Sequence, residues 1–341
     1  MDPLARRQLG RTNVHLSQLG FGGAGLGDLF EVLDDGVAGA ALQAAWDAGI
    51  RYYDTSPWYG RGQSEHRFGR ALYRKPRGEF VLSTKVGRLF RPSRDEARFD
   101  GGFWKGGLKF PHQFDYSYDG VMRSFEDSLQ RLGMPRIDLL LIHDLDLRHH
   151  DTDARVTAYL TEAHNGAFRA LSELKDAGLI GGIGAGINER GMINRMLDLM
   201  DLDFFLVAMP YTLLDQDVLD DEFPRCAERG VGFVIGATFA SGILATGARQ
   251  GALYCYSPAP PDVLARVARM EAVCERHGVP LAAAALQFPL GHPSVASVIP
   301  GALEPGHVTR NVAAFRHAIP ADLWAELKHE GLIRKDAPGP A

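Results

Sequence analysis

Cysteine is scarce: Cys226, Cys255 and Cys274 are the only three in 341 residues, an odd number without C-x-x-C spacing. That excludes a disulfide framework or a zinc knuckle as the source of the fold and predicts a reducing compartment. No run of about eighteen uninterrupted apolar residues is present to span a bilayer, and the opening MDPLARRQLGRT lacks the apolar core of a secretory signal. A cytoplasmic location is expected. There is also no long basic run: 37 Lys+Arg against 42 Asp+Glu leave a net charge of −5. The electrostatic footprint of a nucleic-acid or anionic-membrane binder is missing, so neither nucleic acid nor membrane is expected as a partner. No proline-rich or low-complexity linker divides the chain, which predicts a single domain over 1–341, a monomer or small homo-oligomer with a small-molecule partner. With 45% hydrophobic residues at this length, disorder is excluded and no metal is needed to fold.

What is present is a rhythm. After RRQLGRTNVHLSQLG, where Gly10-Arg11-Thr12-Asn13 punctuates a hairpin, short apolar runs alternate with stretches of helical period. The predicted strands are Gln18–Gly22, Tyr52–Asp54, Phe80–Thr84, Ile137–Ile142, Ile180–Ala185, Phe204–Ala208, Val231–Ile235 and Ser294–Ile299. The helices between and after them fall near 38–48, 64–72, 120–132, 167–177, 189–200, 217–228, 261–277, 281–287 and 305–315. Eight nearly all-apolar strands, each followed by a helix, predict an α/β chain folded as a (β/α)8 TIM barrel with an N-terminal β-hairpin and long loops on the C-terminal face. The non-periodic stretch Gly87–Tyr118 follows the third strand. It carries Phe103, Trp104 and Phe110 and is expected to cover a substrate.

Gly20-Phe21-Gly22-Gly23-Ala24-Gly25 matches the G-x-G-x-x-G dinucleotide fingerprint. The third glycine should open a helix, but Leu26 to Gly36 intervene before any helical period. The glycines, Gly22 and Gly23 among them, are therefore read as letting backbone pass close to a ligand. Asp54, Tyr59, Lys85 and His143 lie at or just beyond the ends of the second, third and fourth strands, so a barrel gathers them at one mouth. Their types suit carbonyl chemistry. Tyr59 exchanges a proton, the Lys85 ammonium lowers the Tyr59 pKa, Asp54 holds Lys85, and His143 donates to the substrate oxygen.

At this point YYDTSPWYGRGQSEHRFGRAL, STKVG, IDLLLIHD and SVIPGALEPGHVTRNVAA resemble the aldo-keto reductase family, over essentially the whole chain. The resemblance implies a nicotinamide dinucleotide extended across the C-terminal face and Asp54, Tyr59, Lys85 and His143 as the catalytic tetrad. It implies that Asn188 binds the carboxamide and that Phe239 in GATFASGIL lies under the nicotinamide ring, with Thr238, Ser241, Gly242 and Leu244 also on the cofactor. Gly301, His307, Arg310 and Asn311 follow as the remaining cofactor-binding residues. Ala208 stands where many members carry a glutamine, so one carboxamide contact is absent or supplied elsewhere. Gly301, Leu303 and His307 stand where NADP-preferring members place lysine or arginine. NAD is therefore expected, with NADP through Arg310 as the alternative.

Within the family, GFGGAGLGDLF, SPWYGRGQSEHRFGRAL, HDLD and GATFASGIL resemble the bacterial branch of L-fucose and D-threo-aldose 1-dehydrogenases and pyridoxal 4-dehydrogenase. That implies oxidation of a sugar hemiacetal to a lactone, with pyridoxal or a simple aldehyde as alternative substrates. Trp58 and Trp104 are the expected substrate contacts. Two rival classes are a metal-dependent barrel hydrolase, suggested by His143-Asp144-x-Asp146-x-x-His149-His150, and a non-catalytic cofactor-binding regulator.

Overall fold

In the computed structural model, which describes residues 1–340, the apolar runs assemble into one parallel sheet. Its strands are β1 (Phe21–Gly22), β2 (Tyr52–Asp54), β3 (Val81–Val86), β4 (Leu139–His143), β5 (Gly182–Ile187), β6 (Phe204–Ala208), β7 (Gly232–Gly236) and β8 (Val295–Val298). They pair in chain order. The two ends then meet: Gly20 N donates to Val298 O at 2.9 Å, Val298 N to Gln18 O at 2.9 Å, and Gly22 N to Pro300 O at 3.1 Å. The sheet thus closes into the expected (β/α)8 barrel, with helices packed outside. The first strand is shorter than its apolar run because residues 18–20 engage β8 through an isolated bridge at Leu19 and not through a ladder.

Side chains alternate between the two faces of each strand, and the core splits accordingly. Tyr52, Leu139, Leu141, Phe204, Leu206 and Val234 fill the barrel interior, whereas Tyr53, Leu140, Ile142, Phe205, Val207 and Ile235 face the helical layer. The N-terminal mouth is plugged by the predicted hairpin, Arg6–Gln8 paired antiparallel with His15–Ser17, whose Leu16, with Leu9 just after the first strand, joins the interior cluster. The same parity brings Asp54, Lys85 and His143 to the opposite mouth.

Other elements depart from the periodicity. A helix at Asp153–Asn165, capped by the Thr152 side chain, precedes the expected one at Ala167–Asp176; its narrow apolar face, Val156, Leu160 and Ala163, is diluted in a polar segment. A C-terminal helix spans Ala321–His329, and the helix after β5 contracts to Met192–Leu197. The Gly87–Tyr118 segment is not structureless: Arg88–Phe90 pairs with His112–Phe114. Phe30 N donates to Phe103 O at 2.8 Å and Leu108 N to Gly60 O at 2.9 Å, which ties the segment over the C-terminal mouth.

On β5 every inward position is glycine: Gly182, Gly184 and Gly186. A Cβ on Gly184 would meet the Phe204 ring at 2.7 Å. Gly184→Ala is therefore expected to destabilise the protein by about 1–3 kcal/mol through overpacking, read as a lower urea midpoint with unchanged slope. An unaltered midpoint would show that the interior has room to spare.

Candidate active site

Asp54 ends β2, His143 ends β4 and Lys85 is the penultimate residue of β3; Tyr59 follows in the short turn Tyr59–Gly62 after β2. The structure brings all four together. Lys85 Nζ donates to Asp54 Oδ2 at 2.7 Å and to Thr55 O at 2.8 Å, while Ser83 Oγ donates to Asp54 Oδ1 at 2.7 Å. The same Nζ lies 4.5 Å from the centre of the Tyr59 ring. The edge of the His143 imidazole faces that ring, with centroids 5.8 Å apart.

The electrostatics differ from the sequence expectation in one respect. Lys85 was expected to lower the Tyr59 pKa, but the phenol is held well above its ordinary value of 10. Burial is the largest cause, and the carboxylates of Asp54 and Asp144 add to it. The physical reason is that the Lys85 charge is already answered by Asp54. Burial likewise raises the Asp54 carboxyl, with Lys85 and Ser83 pulling it back, and holds His143 well below its ordinary 6.5, hence as a neutral imidazole.

Above this group opens a pocket with an empty volume of about 950 Å³, walled by Trp58, Trp104, Phe103, Phe30 and Tyr256 and floored by Tyr59, His143, Asp144 and Asn188. Both predicted substrate contacts, Trp58 and Trp104, line it. The Trp104 Nε1 is buried without a hydrogen-bond partner. Phe110 does not line it; that ring is stacked on Phe90 and half exposed.

A second, larger cleft of about 1790 Å³ shares Tyr59, Leu29, Phe30 and Tyr256 with the pocket and runs outward between the β7 and β8 loops. It is lined by Gly22, Gly23, Thr238, Phe239, Ser241, Gly242, Gly301, His307, Arg310 and Asn311. Of the predicted cofactor residues, Leu244 is misplaced. Its side chain is fully buried in the outer core and its N–H donates to Phe239 O at 3.1 Å, because the short helix Ile243–Thr246 turns that face inward. Asn188 lies in the pocket, its Nδ2 donating to Asp144 Oδ1 at 2.8 Å and Asp146 Oδ2 at 3.0 Å. Its own Oδ1 is thereby presented as an acceptor. Thr238 Oγ1 is buried with no partner, an orphaned polar atom in the cleft wall. These features fit a long, polar, ring-bearing ligand such as a nicotinamide dinucleotide.

Arg88, Phe30 and Tyr256 escaped the sequence reading. Arg88, which follows β3 in STKVGRLF, is buried; it donates from NH2 to Asp144 Oδ2 at 2.9 Å and from NH1 to His143 Nδ1 at 3.2 Å. An arginine opening a loop carries no sequence signal of burial. Asp144 is held well below the usual carboxylate range: burial raises it, but the Arg88 charge and the Asn188 hydrogen bond pull it down. Asp144, Asp146 and His149 do place possible ligand atoms within 4.8 Å of one another. These atoms are engaged within the protein, by Arg88 and Asn188 and by contacts of His149 to Asp146 at 2.7 Å and Asp144 at 3.4 Å.

The Aldo/keto reductase family model matches residues 18–330. The chain is 44% identical to a pyridoxal 4-dehydrogenase of Microbacterium luteolum, covering 96% of this chain and 98% of that one. It is 42% identical to a D-threo-aldose 1-dehydrogenase of a Pseudomonas species, covering 92% and 94%. Among solved structures, an aldo-keto reductase of Bacillus halodurans in its holo form superposes with a TM-score of 0.71 at 28% identity, over 97% of each chain. With a family model matched along almost its whole length and relatives at this identity, the chain belongs to the aldo/keto reductase family of NAD(P)-dependent oxidoreductases.

Proposed function

We propose that the protein is a dehydrogenase of cyclic hemiacetals, oxidising the carbon that bears the hemiacetal hydroxyl to give a lactone, with an aldose as substrate and NAD as coenzyme. The whole chain acts as one catalytic barrel. The observation that carries this reading is the buried Asp54–Lys85 pair against the Tyr59 ring, with His143 beside it, at the floor of an aromatic pocket. When bound, the nicotinamide supplies the hydride acceptor. The chain's own residues handle the proton and the oxygen. Tyr59 exchanges the hydroxyl proton through its phenol oxygen, Lys85 and Asp54 fix the charge beneath it, and the neutral His143 donates a hydrogen bond to the same substrate oxygen. Trp58 and Trp104 offer flat apolar faces to a ring. The aromatic walls also support pyridoxal, whose hemiacetal form undergoes the same conversion, as the second reading.

For the coenzyme, Asn188 Oδ1 suits the carboxamide and Phe239 the ring face, while Thr238, Ser241 and Gly242 suit the phosphate and ribose groups. Asn311 Nδ2 donates to Gly301 O at 3.3 Å and His307 Nδ1 accepts from Leu303 N at 3.2 Å, which braces the loop at the outer end of the cleft. Arg310, the one cation among these residues, is paired with Glu304 at 3.3 Å, and His307 lies 3.8 Å from the same carboxylate. A carboxylate at this rim opposes a 2′-phosphate and supports NAD over NADP.

Turnover of L-fucose, D-arabinose, L-galactose, pyridoxal and simple aldehydes with each coenzyme tests the substrate class; oxidation of no hemiacetal in the panel would overturn it. Tyr59→Phe should remove most of kcat with dinucleotide affinity nearly unchanged, because only the exchanging hydroxyl is lost. Since burial raises the phenol pKa, the wild-type oxidation rate should climb with pH through the alkaline range and the reduction rate fall; a pH-independent chemical step would count against Tyr59. Leu303→Arg should tighten NADP binding about tenfold, about 1.4 kcal/mol, with NAD little changed. If wild type already prefers NADP and Arg310→Ala erases the preference, measured by fluorescence quenching, the assignment to NAD is wrong.

A further inference from the structure

We propose that Arg88 is a positioning residue that locks His143 in the tautomer carrying its proton on Nε2. The inference rests on His143 acting as donor to the substrate oxygen, and it names what keeps that donor available. A neutral imidazole has one N–H and one bare nitrogen, and which is which follows from the partner of each. Arg88 NH1 lies 3.2 Å from His143 Nδ1, and a guanidinium can only donate, so Nδ1 must be the acceptor. Ser56 Oγ, at 3.1 Å from the same Nδ1, already accepts from Trp58 N, which leaves its hydroxyl proton for the imidazole. Arg88 therefore requires a bare Nδ1, and the Ser56 hydroxyl is free to donate to it. The proton is left on Nε2, which lies 3.3 Å from Asp144 Oδ1, an oxygen of the same carboxylate that Arg88 holds through Oδ2.

The guanidinium is built into this place. It lies between the Trp58 and Phe114 rings, 4.7 and 4.6 Å from their centres, and its second arm holds Asp144 at 2.9 Å. Arg88 Nε is buried without a partner. A residue serving only as counter-charge to Asp144 would need one arm, whereas here both arms are used and the orientation is kept although one donor is left unsatisfied. The flat fork spans His143 and Asp144 together, which the single ammonium of a lysine cannot reproduce.

The tautomer can be read directly by ¹⁵N NMR of histidine-labelled protein, with the His143 signals assigned by their loss in His143→Gln. Neither coenzyme nor substrate is needed, so failure here is separate from failure of the hemiacetal reading, which turnover reports. In wild type, Nδ1 should show the shift of a bare ring nitrogen and Nε2 that of a protonated one. Arg88→Met should redistribute the proton and lower kcat about tenfold or more, with KM for dinucleotide within about twofold. Arg88→Lys, keeping one donor arm, should recover part of both. A protonated Nδ1 in wild type overturns the proposal. So does folded Arg88→Met that keeps the wild-type tautomer, whether or not kcat falls. If Arg88→Met does not fold, Arg88→Lys decides: an intermediate tautomer population supports the proposal, and an unchanged one overturns it.

Discussion

The mouth of the barrel is organised around a buried ion pair. Lys85 and Asp54 lie 2.7 Å apart with side-chain exposures of 1% and 2%, and taking two such ions out of water costs several kcal/mol each. The cost is offset by partners on both ions: Thr55 O accepts a second ammonium proton, Ser83 Oγ donates to the other carboxylate oxygen, and Tyr52 OH lies 3.1 Å from Ser83 Oγ. Removing one partner alone would strand a charge in the interior, at about 3–5 kcal/mol. The pair is thus a structural element first. The same fixed dipole is what the Tyr59 ring rests on.

A second compensated group stands across the phenol, with Arg88, Asp144, Asn188 and His149 bound to one another and to His143. Tyr59 sits between two clusters whose charges are internally answered. Its proton is therefore governed mainly by burial, which explains why a lysine 4.5 Å from the ring does not bring the phenol down. Hydroxyl chemistry at such a site depends on what enters the pocket and how fully water leaves it.

Much of this was legible in the residues. Nearly continuous apolar runs at Ile137–Ile142 and Phe204–Ala208, separated by amphipathic stretches, were enough for the barrel, and strand-end position was enough to gather Asp54, Tyr59, Lys85 and His143. The Gly20–Gly25 run was correctly set aside as a fingerprint, since the next α-helix starts only at Asp35, capped by Asp34. What stayed hidden is tertiary. Arg88 looks like a surface residue until aromatic rings enclose it, and Leu244 looks like a loop residue until its helix rolls it into the core. The pairing of Arg310 with Glu304 depends on how the residues after β8 fold, not on the charges alone.

The glycine stripe on β5 has an evolutionary reach. A Cβ on Gly186 would lie 3.4 Å from His143 Cδ2 and 3.7 Å from Lys85 Cε, and Gly184 is pressed by Phe204. A methyl at Gly184 is blocked by the core, whereas one at Gly186 would stand in ordinary contact with His143 and Lys85, so inward growth beyond a methyl there presses on that pair. Innovation in substrate range must instead enter through the connections after β1, β3 and β7. Phe30, Phe103, Trp104 and Tyr256 lie there, held over the mouth mostly by backbone hydrogen bonds that tolerate a change of side chain. The barrel separates a tightly packed floor on its strands from walls carried by its loops.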